Sequence, residues 1–310
     1  MTPDDPDDDF EEIARRFSDL RHALVHTQNG VRSAEARRML ADQIRDALDR
    51  GEARLVKADS EIIANSFTLE ALVHNGVATQ VYRARHRDLG TLHAIKILRP
   101  AQAGDPVTRG LFLREAEIGM ALGHRNVART QVLLRLSDGR PALVMEWLGQ
   151  ALADVLPRTP LSIPEVTSIM TAIFEGLGAI HAAGFVHCDL SPANLRSAGD
   201  GFSDLKIADF GIALETGRRQ GELDLGFAGQ PEFASPEQRA GEPLDQRSDL
   251  YASGRLLSLL LHHCRNLDGR AEQLKAVAIR LSQKDPRGRP ENAEAALHLL
   301  RGLGKHLVGT

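Results

Sequence analysis

The sequence predicts an α+β fold in which a helical N-terminal extension precedes a strand-rich region and a mainly helical C-terminal half. Three observations support this prediction. Apolar residues recur at helical spacing from Phe10 to Leu24. Short apolar runs of strand character begin at Phe67. A long helical stripe follows the capping-box pair Ser162 and Glu165. At 310 residues, 42% hydrophobic and 26% charged, the chain resembles an ordinary globular protein of about two domains.

The charge and composition exclude several other classes of protein. A net charge of −4 and a pI near 6.3 give no electrostatic reason to expect nucleic acid or an anionic membrane as a partner. No apolar run approaches the ~20 residues that span a bilayer, and the acidic N-terminus is unlike a secretory signal. Two cysteines are too few for a disulfide framework or a zinc cluster. The sequence therefore predicts a cytoplasmic protein.

The N-terminal extension carries no recognisable motif. Residues 4–12 contain seven acidic and no basic residues, which is typical of a frayed, solvated tail. The helix that follows is expected to break at Asn29-Gly30, and Ser33 can cap a second helix that closes at Gly51. Two such helices cannot bury both apolar faces alone. Residues 10–50 therefore pack on the following domain, on each other, or on a partner, which includes a second copy of the chain.

Three oxygen-bearing side chains are concentrated between His187 and Gly211. Asp189 and Asn194 lie in a polar loop, and Asp209 follows a short apolar run with the pattern of a buried strand. Phosphoryl transfer needs a carboxylate that takes or orients the proton of the attacking hydroxyl, together with oxygen ligands for Mg²⁺. These residue types, so close in sequence, predict a phosphoryl-transfer site.

The motifs His187-Cys188-Asp189-Leu190-Ser191-Pro192-Ala193-Asn194 and Asp209-Phe210-Gly211 resemble those of the eukaryotic-like (Hanks-type) protein kinases, specifically their bacterial serine/threonine branch. The resemblance covers roughly residues 66–303. It implies transfer of the γ-phosphoryl group of ATP to a Ser/Thr hydroxyl of a protein substrate that the sequence does not identify, with Mg²⁺ as the metal. By the same resemblance, Asp189 is the catalytic base, and Asn194 and Asp209 are the metal ligands.

The resemblance also implies a two-lobed protein-kinase fold. The helical extension would occupy residues 1–62, a small β-rich lobe residues 63–148, and a helical lobe residues 149–310. The family's substrate-docking helix is expected to be absent or reduced to a turn around Asn266-Leu267-Asp268-Gly269, because few residues are available there.

Lys96 matches the family's lysine that contacts the α- and β-phosphates of ATP. A buried ammonium needs an acidic partner; Glu115 fits the family spacing best, and Glu117 is the alternative. The other positions that the resemblance assigns to the nucleotide are Leu72, Gly76, Val81, Ala94, Met145, Glu146 and Leu148.

Several positions depart from the family pattern. His74 and Thr79 replace two of the three phosphate-loop glycines. Ser191 stands where the family has a lysine beside the transferring phosphate, and Gln230 stands where a threonine ties that lysine to the aspartate. Cys188 replaces the arginine that normally requires an activation-segment phosphate. We therefore expect activity without activation-loop phosphorylation.

Two further observations concern the same regions. Between Gly211 and Pro236 the sequence offers only Thr216 and Ser235 as phosphoacceptors. Arg196 takes the place of the apolar side chain that usually forms the floor under adenine, and the sequence leaves open whether it substitutes for the missing lysine.

Four residues have expected structural roles. His187 is interpreted as a packed core histidine, because the resemblance places Asp189 at the hydroxyl. By resemblance, Asp249 holds the backbone of the catalytic loop. Glu237 and Arg289 should form a buried structural ion pair.

Two alternative functions and one alternative location stay open. The lost glycines, Ser191 and Gln230 also suit a weakly active or inactive pseudokinase that acts as a scaffold through residues 10–50. A small-molecule phosphotransferase is disfavoured by the activation segment, which those relatives lack. Delivery into a host cell as an effector is compatible with the sequence.

Overall fold

The computed structural model describes residues 6–27, 30–34, 36–37, 39–41, 44, 62–197, 199, 202, 204–224, 226–265 and 269–302. The chain divides into two compact units, Met1–Asn65 and Ser66–Thr310.

The first unit opens with a helix over Pro6–Val25. The expectation of a frayed tail is wrong for residues 6–12, which are helical. Proline is tolerated in the first turn, and the acidic residues there are stabilised by the positive end of the helix dipole. After this helix, the short strands His26–Thr27 and Gly30–Val31 pair antiparallel.

The second predicted helix of this unit is described only in part. The hydroxyl of Ser33 accepts a hydrogen bond from the backbone N–H of Ala36 at 3.2 Å, so its predicted capping role is confirmed. The expected C-terminal part of that helix, residues 45–51, lies outside the described residues. The strand Ile62–Ile63 is the last described element of the unit.

Five antiparallel strands begin the second unit. In space the fifth strand lies between the third and the fourth. The register sets Val81 opposite Lys96 and Ala94 opposite Met145, so nucleotide-site candidates lie side by side. The strands are Phe67–Asn75, Thr79–His86, Leu92–Leu98, Thr130–Arg135 and Pro141–Glu146.

One helix accompanies these strands. It spans Pro106–Ala121 and begins after Asp105, whose carboxylate accepts the backbone N–H of Thr108 at 2.9 Å. Its buried side chains include Phe112, which packs with Leu98 and Leu143 of the sheet. The helix therefore presents Glu115, three residues after Phe112, to the strand that carries Lys96.

The C-terminal half is mainly helical, and its central helix is Ile163–Ala182. The predicted capping box is confirmed, since the backbone N–H of Ser162 donates to Glu165 at 2.8 Å and the N–H of Glu165 donates to Ser162 at 3.4 Å. Ile173 and Leu177 are fully buried in the core. The other helices are Leu152–Val155, Pro236–Arg239, Gln246–His262, Gly269–Leu281 and Ala293–Gly302.

Among the described helices, Ile163–Ala182 alone is long and apolar enough to cross a bilayer by length and composition. Inside the protein 56% of its apolar window is buried, as in a core helix.

The segment expected to lack a docking helix is short. Residues 263–268 separate Gln246–His262 from Gly269–Leu281. The predicted turn falls mostly on residues 266–268, which lie outside the described residues.

Candidate active site

Two small sheets frame the loop of residues 187–194, here called the catalytic loop. Phe185–Val186 pairs antiparallel with Leu214–Glu215 before the loop. Leu195–Ser197 pairs antiparallel with Leu205–Ile207 after it. The two pairings fix both ends of the loop and bring the chain back to it just before Asp209.

Lys96 lies between two carboxylates. Its Nζ donates to Glu115 at 2.7 and 2.8 Å and to Asp209 Oδ1 at 3.2 Å. Lys96 and Glu115 are 9% and 5% exposed, whereas Glu117 is exposed. The structure thus pairs Lys96 with Glu115, as the resemblance implied. It also joins Lys96 to Asp209, which lies 113 positions further along the sequence.

This arrangement fixes the charges of the cluster. Burial opposes the charge of Lys96, but the carboxylates of Asp209 and Glu115 outweigh it and raise the pKa of Lys96 above its ordinary value. Lys96 in turn lowers the pKa of Asp209, against the effect of burial. Burial raises the pKa of Glu115, and the ammonium acts in the opposite direction. Asp209 is therefore ionised at neutral pH, as a metal ligand must be.

Asp189 is held by two donors. Asn194 Nδ2 donates to its Oδ2 at 2.8 Å, and the backbone N–H of Gln230 donates to its Oδ1 at 3.2 Å. Burial raises the pKa of Asp189, partly offset by His187 and Asn194. A partly buried carboxylate with a raised pKa is suited to accepting a proton from a hydroxyl.

Asn194 and Asp209 offer oxygen ligands that suit Mg²⁺. The Nδ2 of Asn194 donates to both the backbone and the side chain of Asp189, so its amide oxygen is the atom left for a cation. Asn194 and Asp209 line the same cleft, and hard oxygen donors are what Mg²⁺ prefers. The residues present therefore fit the metal.

Two catalytic-region residues have left-handed backbone conformations. Cys188 has φ 67° and Asp209 has φ 69°. Non-glycine residues rarely adopt such angles unless the surrounding structure imposes them.

At Gly211 a Cβ atom would lie 3.2 Å from Asp209 Oδ1 and 3.6 Å from Glu115 Oε2. Glycine at this position keeps the charged cluster open.

Asp249 holds the backbone of the catalytic loop, as predicted. Its two oxygens accept the backbone N–H groups of His187 and Cys188 at 2.8 and 2.9 Å. His181 contacts the same carboxylate at 2.8 Å. This triple contact supports the left-handed conformation of Cys188.

His187 and Cys188 are structural residues. His187 is fully buried, its Nε2 lies 3.2 Å from the carbonyl oxygen of Ala208, and its ring meets Phe210 edge-on. The prediction of a packed core histidine is confirmed. Cys188 packs in an apolar cluster with Val186, Leu214 and Leu244. Burial raises the pKa of its thiol well above the ordinary value, which disfavours the reactive thiolate.

The predicted structural ion pair is confirmed. Arg289 donates to the two oxygens of Glu237 at 2.6 and 2.9 Å, and the Arg289 side chain is fully buried. Ser248 donates a further hydrogen bond to Glu237 at 2.8 Å. This network anchors the end of the activation segment on the helical half of the unit.

A cleft of about 230 Å³ lies between the strands and the catalytic loop. Its lining brings together the catalytic candidates Lys96, Glu115, Asn194 and Asp209. Five residues assigned to the nucleotide also line it: Val81, Ala94, Met145, Glu146 and Leu148. Asp189 lines an adjoining cavity together with Lys96 and Asp209.

The assignment of Leu72 to the nucleotide stays a prediction. Leu72 is 45% exposed, and its neighbour Val73 lines the cleft. The pairing register shifts between Leu72 and His74, and such a bulge re-aims the side chains around it. Gly76 is not a lining residue either; its N–H donates to Thr79 at the tip of the hairpin.

The two replaced positions of the catalytic region contact each other. The side-chain amide of Gln230 donates to the hydroxyl of Ser191 at 2.6 Å, and Ser191 is fully buried. Arg196 lines the cleft but donates to the backbone oxygen of Gly149 at 3.0 Å. These contacts leave the site with a neutral pair where the family has a cation.

Two ion pairs near the site did not emerge from the sequence. Arg114 donates to the backbone oxygen of Ala213 and lies 3.2 Å from Glu215, which joins the Pro106–Ala121 helix to the activation segment. Lys206 pairs with Glu146 at 2.9 Å behind the cleft. The sequence offered one signal for the first pair. Arg114 directly precedes Glu115, and consecutive residues of a helix point in different directions, so Arg114 had to contact something other than Lys96.

A strand-rich lobe, a helical lobe and an acid-lined cleft between them define the protein-kinase fold class. Residues 67–303 match the family model described as protein kinase domain, and the chain belongs to that family. The resemblance to bacterial serine/threonine-protein kinases is confirmed by the relatives that the chain matches.

Serine/threonine-protein kinase pkn3 of Myxococcus xanthus is 36% identical over 210 residues, which are 64% of this chain and 38% of the relative. Serine/threonine-protein kinase A of Synechocystis is 30% identical over 281 residues, 78% of this chain and 54% of the relative. The chain therefore spans less than two thirds of either relative. The crystal structure of the Mycobacterium tuberculosis PknI kinase domain superposes with a TM-score of 0.61 at 24% identity, covering 80% of this chain and 99% of that one.

Proposed function

We propose that this protein transfers the γ-phosphoryl group of ATP to a Ser/Thr hydroxyl of a protein substrate, with Mg²⁺. The observation that carries the proposal is the contact of Lys96 with both Glu115 and Asp209 at the wall of an open cleft. Burying charged side chains is costly even when they are paired. A protein that acts only as a scaffold therefore has no physical need for this arrangement. The named relatives are serine/threonine-protein kinases, which favours the same chemistry.

Each residue has a stated task in this reaction. Asp189 accepts the proton of the attacking hydroxyl, which contributes roughly 10²–10⁴-fold to the rate. Lys96, oriented by Glu115, binds phosphate oxygens. Val81, Ala94 and Met145 bound the apolar part of the cleft that receives adenine. The backbone of Glu146 and Leu148 provides its polar partners.

Asn194 and Asp209 would hold Mg²⁺. The bound metal supplies positive charge that offsets the charge of the triphosphate. Asp209 is kept ionised by Lys96, and Asn194 is oriented by its hydrogen bonds to Asp189. The same amide thus connects the proton acceptor to the metal site.

Two measurements test the proposal. Wild-type protein should be stabilised against heat by MgATP, by about 2.7 kcal/mol at a concentration one hundred times Kd, and Lys96→Met should lose this shift. Wild type should also transfer radiolabelled phosphate to a generic protein substrate, and Asp189→Ala should not. A folded wild type that shows neither effect would contradict the proposal.

The second candidate, a weakly active or inactive pseudokinase, is favoured by the contact between Gln230 and Ser191. A missing cation near a developing charge costs several kcal/mol of transition-state stabilisation. Binding of MgATP without any transfer that depends on Asp189 would favour this candidate.

Activity is proposed to be independent of activation-loop phosphorylation. Cys188 lies in an apolar cluster, so no buried arginine there needs a phosphate. Arg114 already joins the neighbouring helix to Glu215 and Ala213. Ser235 is fully buried and caps the helix Pro236–Arg239 through the N–H of Gln238, which leaves Thr216 as the exposed acceptor of this segment.

Residues 10–50 are proposed to bind a partner or a second copy of the chain, and the helix Pro6–Val25 with its exposed Leu20 supports this. Sedimentation of wild type beside Leu20→Glu tests self-association. If the chain self-associates through this helix, the variant should sediment as a smaller species.

The protein is proposed to act in the cytoplasm. Fractionation of cells that express the chain would check this location.

A further inference from the structure

The phosphate loop of this chain contains a histidine where a close-approach glycine is expected. His74 lies at the end of the first strand of the second unit, directly opposite Val81, and both side chains line the nucleotide cleft. Thr79 and Lys96 line the same cleft. His74 therefore shares its cleft with Lys96 and Asp209.

Gly76 shows where the imidazole lies. A Cβ atom at this position would be 3.0 Å from His74 Nε2 and 3.2 Å from the backbone oxygen of Thr79. A side chain at position 76 would thus displace the imidazole from the hairpin. Glycine at position 76 therefore leaves room for the imidazole of His74.

The hairpin that carries His74 is held by a network at its tip. Arg99 Nε donates to the backbone oxygen of Gly76 at 2.8 Å, and its guanidinium also donates to Asn75. Gln80 donates to the same Asn75 oxygen at 3.2 Å. Because the loop is already ordered, little further entropy is lost when it contacts a ligand.

The charges around the cleft give His74 a reason to act on phosphate. The lining carries Lys96 and Arg196 as cations and Glu115, Glu146 and Asp209 as acids, with Asp189 in the adjoining cavity. Lys96 is engaged by Glu115 and Asp209, Arg196 by Gly149, and Glu146 by Lys206. The catalytic loop contributes no lysine or arginine, and Ser191 stands buried where the family has a lysine.

We propose that His74 is a nucleotide-binding residue whose imidazole donates a hydrogen bond to a phosphate oxygen of ATP. The inference rests on the proposed function. Replacing His74 by a side chain without a donor should therefore weaken the binding of ATP.

Binding in EDTA, without metal, isolates this contact. Isothermal titration of ATP into wild type and His74→Leu, whose side chain has no donor, gives the ratio of the two affinities. Wild type should bind ATP about tenfold more tightly, the value of one hydrogen bond to a charged group.

Three controls sharpen the experiment. Adenosine, which lacks phosphate, should bind both proteins equally. His298→Leu replaces an exposed histidine of the last helix and should behave as wild type. His74→Lys keeps a donor at this position, so it should bind ATP at least as tightly as wild type; it also serves if His74→Leu does not fold.

The outcomes separate the two proposals. An unchanged affinity of His74→Leu for ATP, or an equal loss of affinity for adenosine, would overturn the role of His74 while leaving ATP binding intact. A folded wild type that does not bind ATP at all would overturn both the role of His74 and the proposed function.

Discussion

The side-chain amide of Gln230 donates a 2.6 Å hydrogen bond to the buried hydroxyl of Ser191. The backbone N–H of the same glutamine donates to Asp189. Two positions that depart from the family pattern are thus coupled, and one of them also orients the proposed catalytic base. The coupling explains why a lysine and a threonine can be replaced together: each replacement satisfies the polar group of the other.

Removing one partner of this pair should lower the free energy of unfolding without the compensation that removal of both partners brings. Gln230→Ala leaves the Ser191 hydroxyl buried without this donor, and we expect a loss of about 1–3 kcal/mol in the free energy of unfolding. Adding Ser191→Ala should recover much of that loss, because both partners are then gone. Urea unfolding of the two single variants and the double variant measures the coupling. Additive losses would contradict it.

Two glycines of one helix should respond in opposite directions to alanine. At Gly176 a Cβ atom would lie 2.7 Å from the backbone oxygen of Asn126 and 3.0 Å from Ile207. Gly176→Ala should therefore destabilise the protein by about 1–3 kcal/mol. At Gly178 the nearest atom is Ala293 Cβ at 4.0 Å, so Gly178→Ala should stabilise it by about 0.5–1 kcal/mol. Thermal unfolding of both variants gives the comparison; equal effects would contradict the packing described.

Stability should fall in acid through Glu237. Burial opposes its charge, but the hydrogen bonds from Arg289 and Ser248 prevail and lower the pKa of Glu237 in the folded state. A lowered folded-state pKa gives stability that is present above the unfolded value, about 4.3, and is lost as the pH falls through the folded value. Unfolding free energy measured from pH 7 to pH 3 should show this loss.

Glu237→Gln supplies the control for that titration. At pH 7 it should cost about 3–5 kcal/mol, because Arg289 is left buried without its carboxylate. The difference between wild type and variant should narrow toward pH 3, where the carboxylate of wild type also loses its charge. A constant difference across that range would place the acid sensitivity elsewhere.

Activity without activation-loop phosphate can be tested on two neighbouring residues. Phosphatase-treated wild type and Thr216→Ala should keep their kcat, because the side-chain hydroxyl and the backbone N–H of Thr216 both donate to the backbone oxygen of Gly184. Glu215→Ala should lower kcat by at most about fivefold, since the Glu215 carboxylate that pairs with Arg114 is half exposed. Loss of most activity in Thr216→Ala would reject the proposal.

Some features of the fold and of the catalytic site could be predicted from the sequence, and others could not. The capping box at Ser162 and Glu165 was predictable because it depends on residues three apart. The family motifs gave Lys96, Glu115, Asp189, Asn194 and Asp209 as a set. The register of the first strand was not predictable, since the shift in pairing between Leu72 and His74 depends on the next strand of the sheet.

The sequence by itself determined the fold class, the order of strands and helices, and the residue types of the charged cluster, because these follow from short-range patterns and motifs. Only the tertiary structure decided that Arg114 contacts Glu215, that Gln230 contacts Ser191 and that His74 lines the same cleft as Lys96. Such contacts join distant parts of the chain. They are set by packing and by the need to pair each buried polar group, which no local pattern encodes.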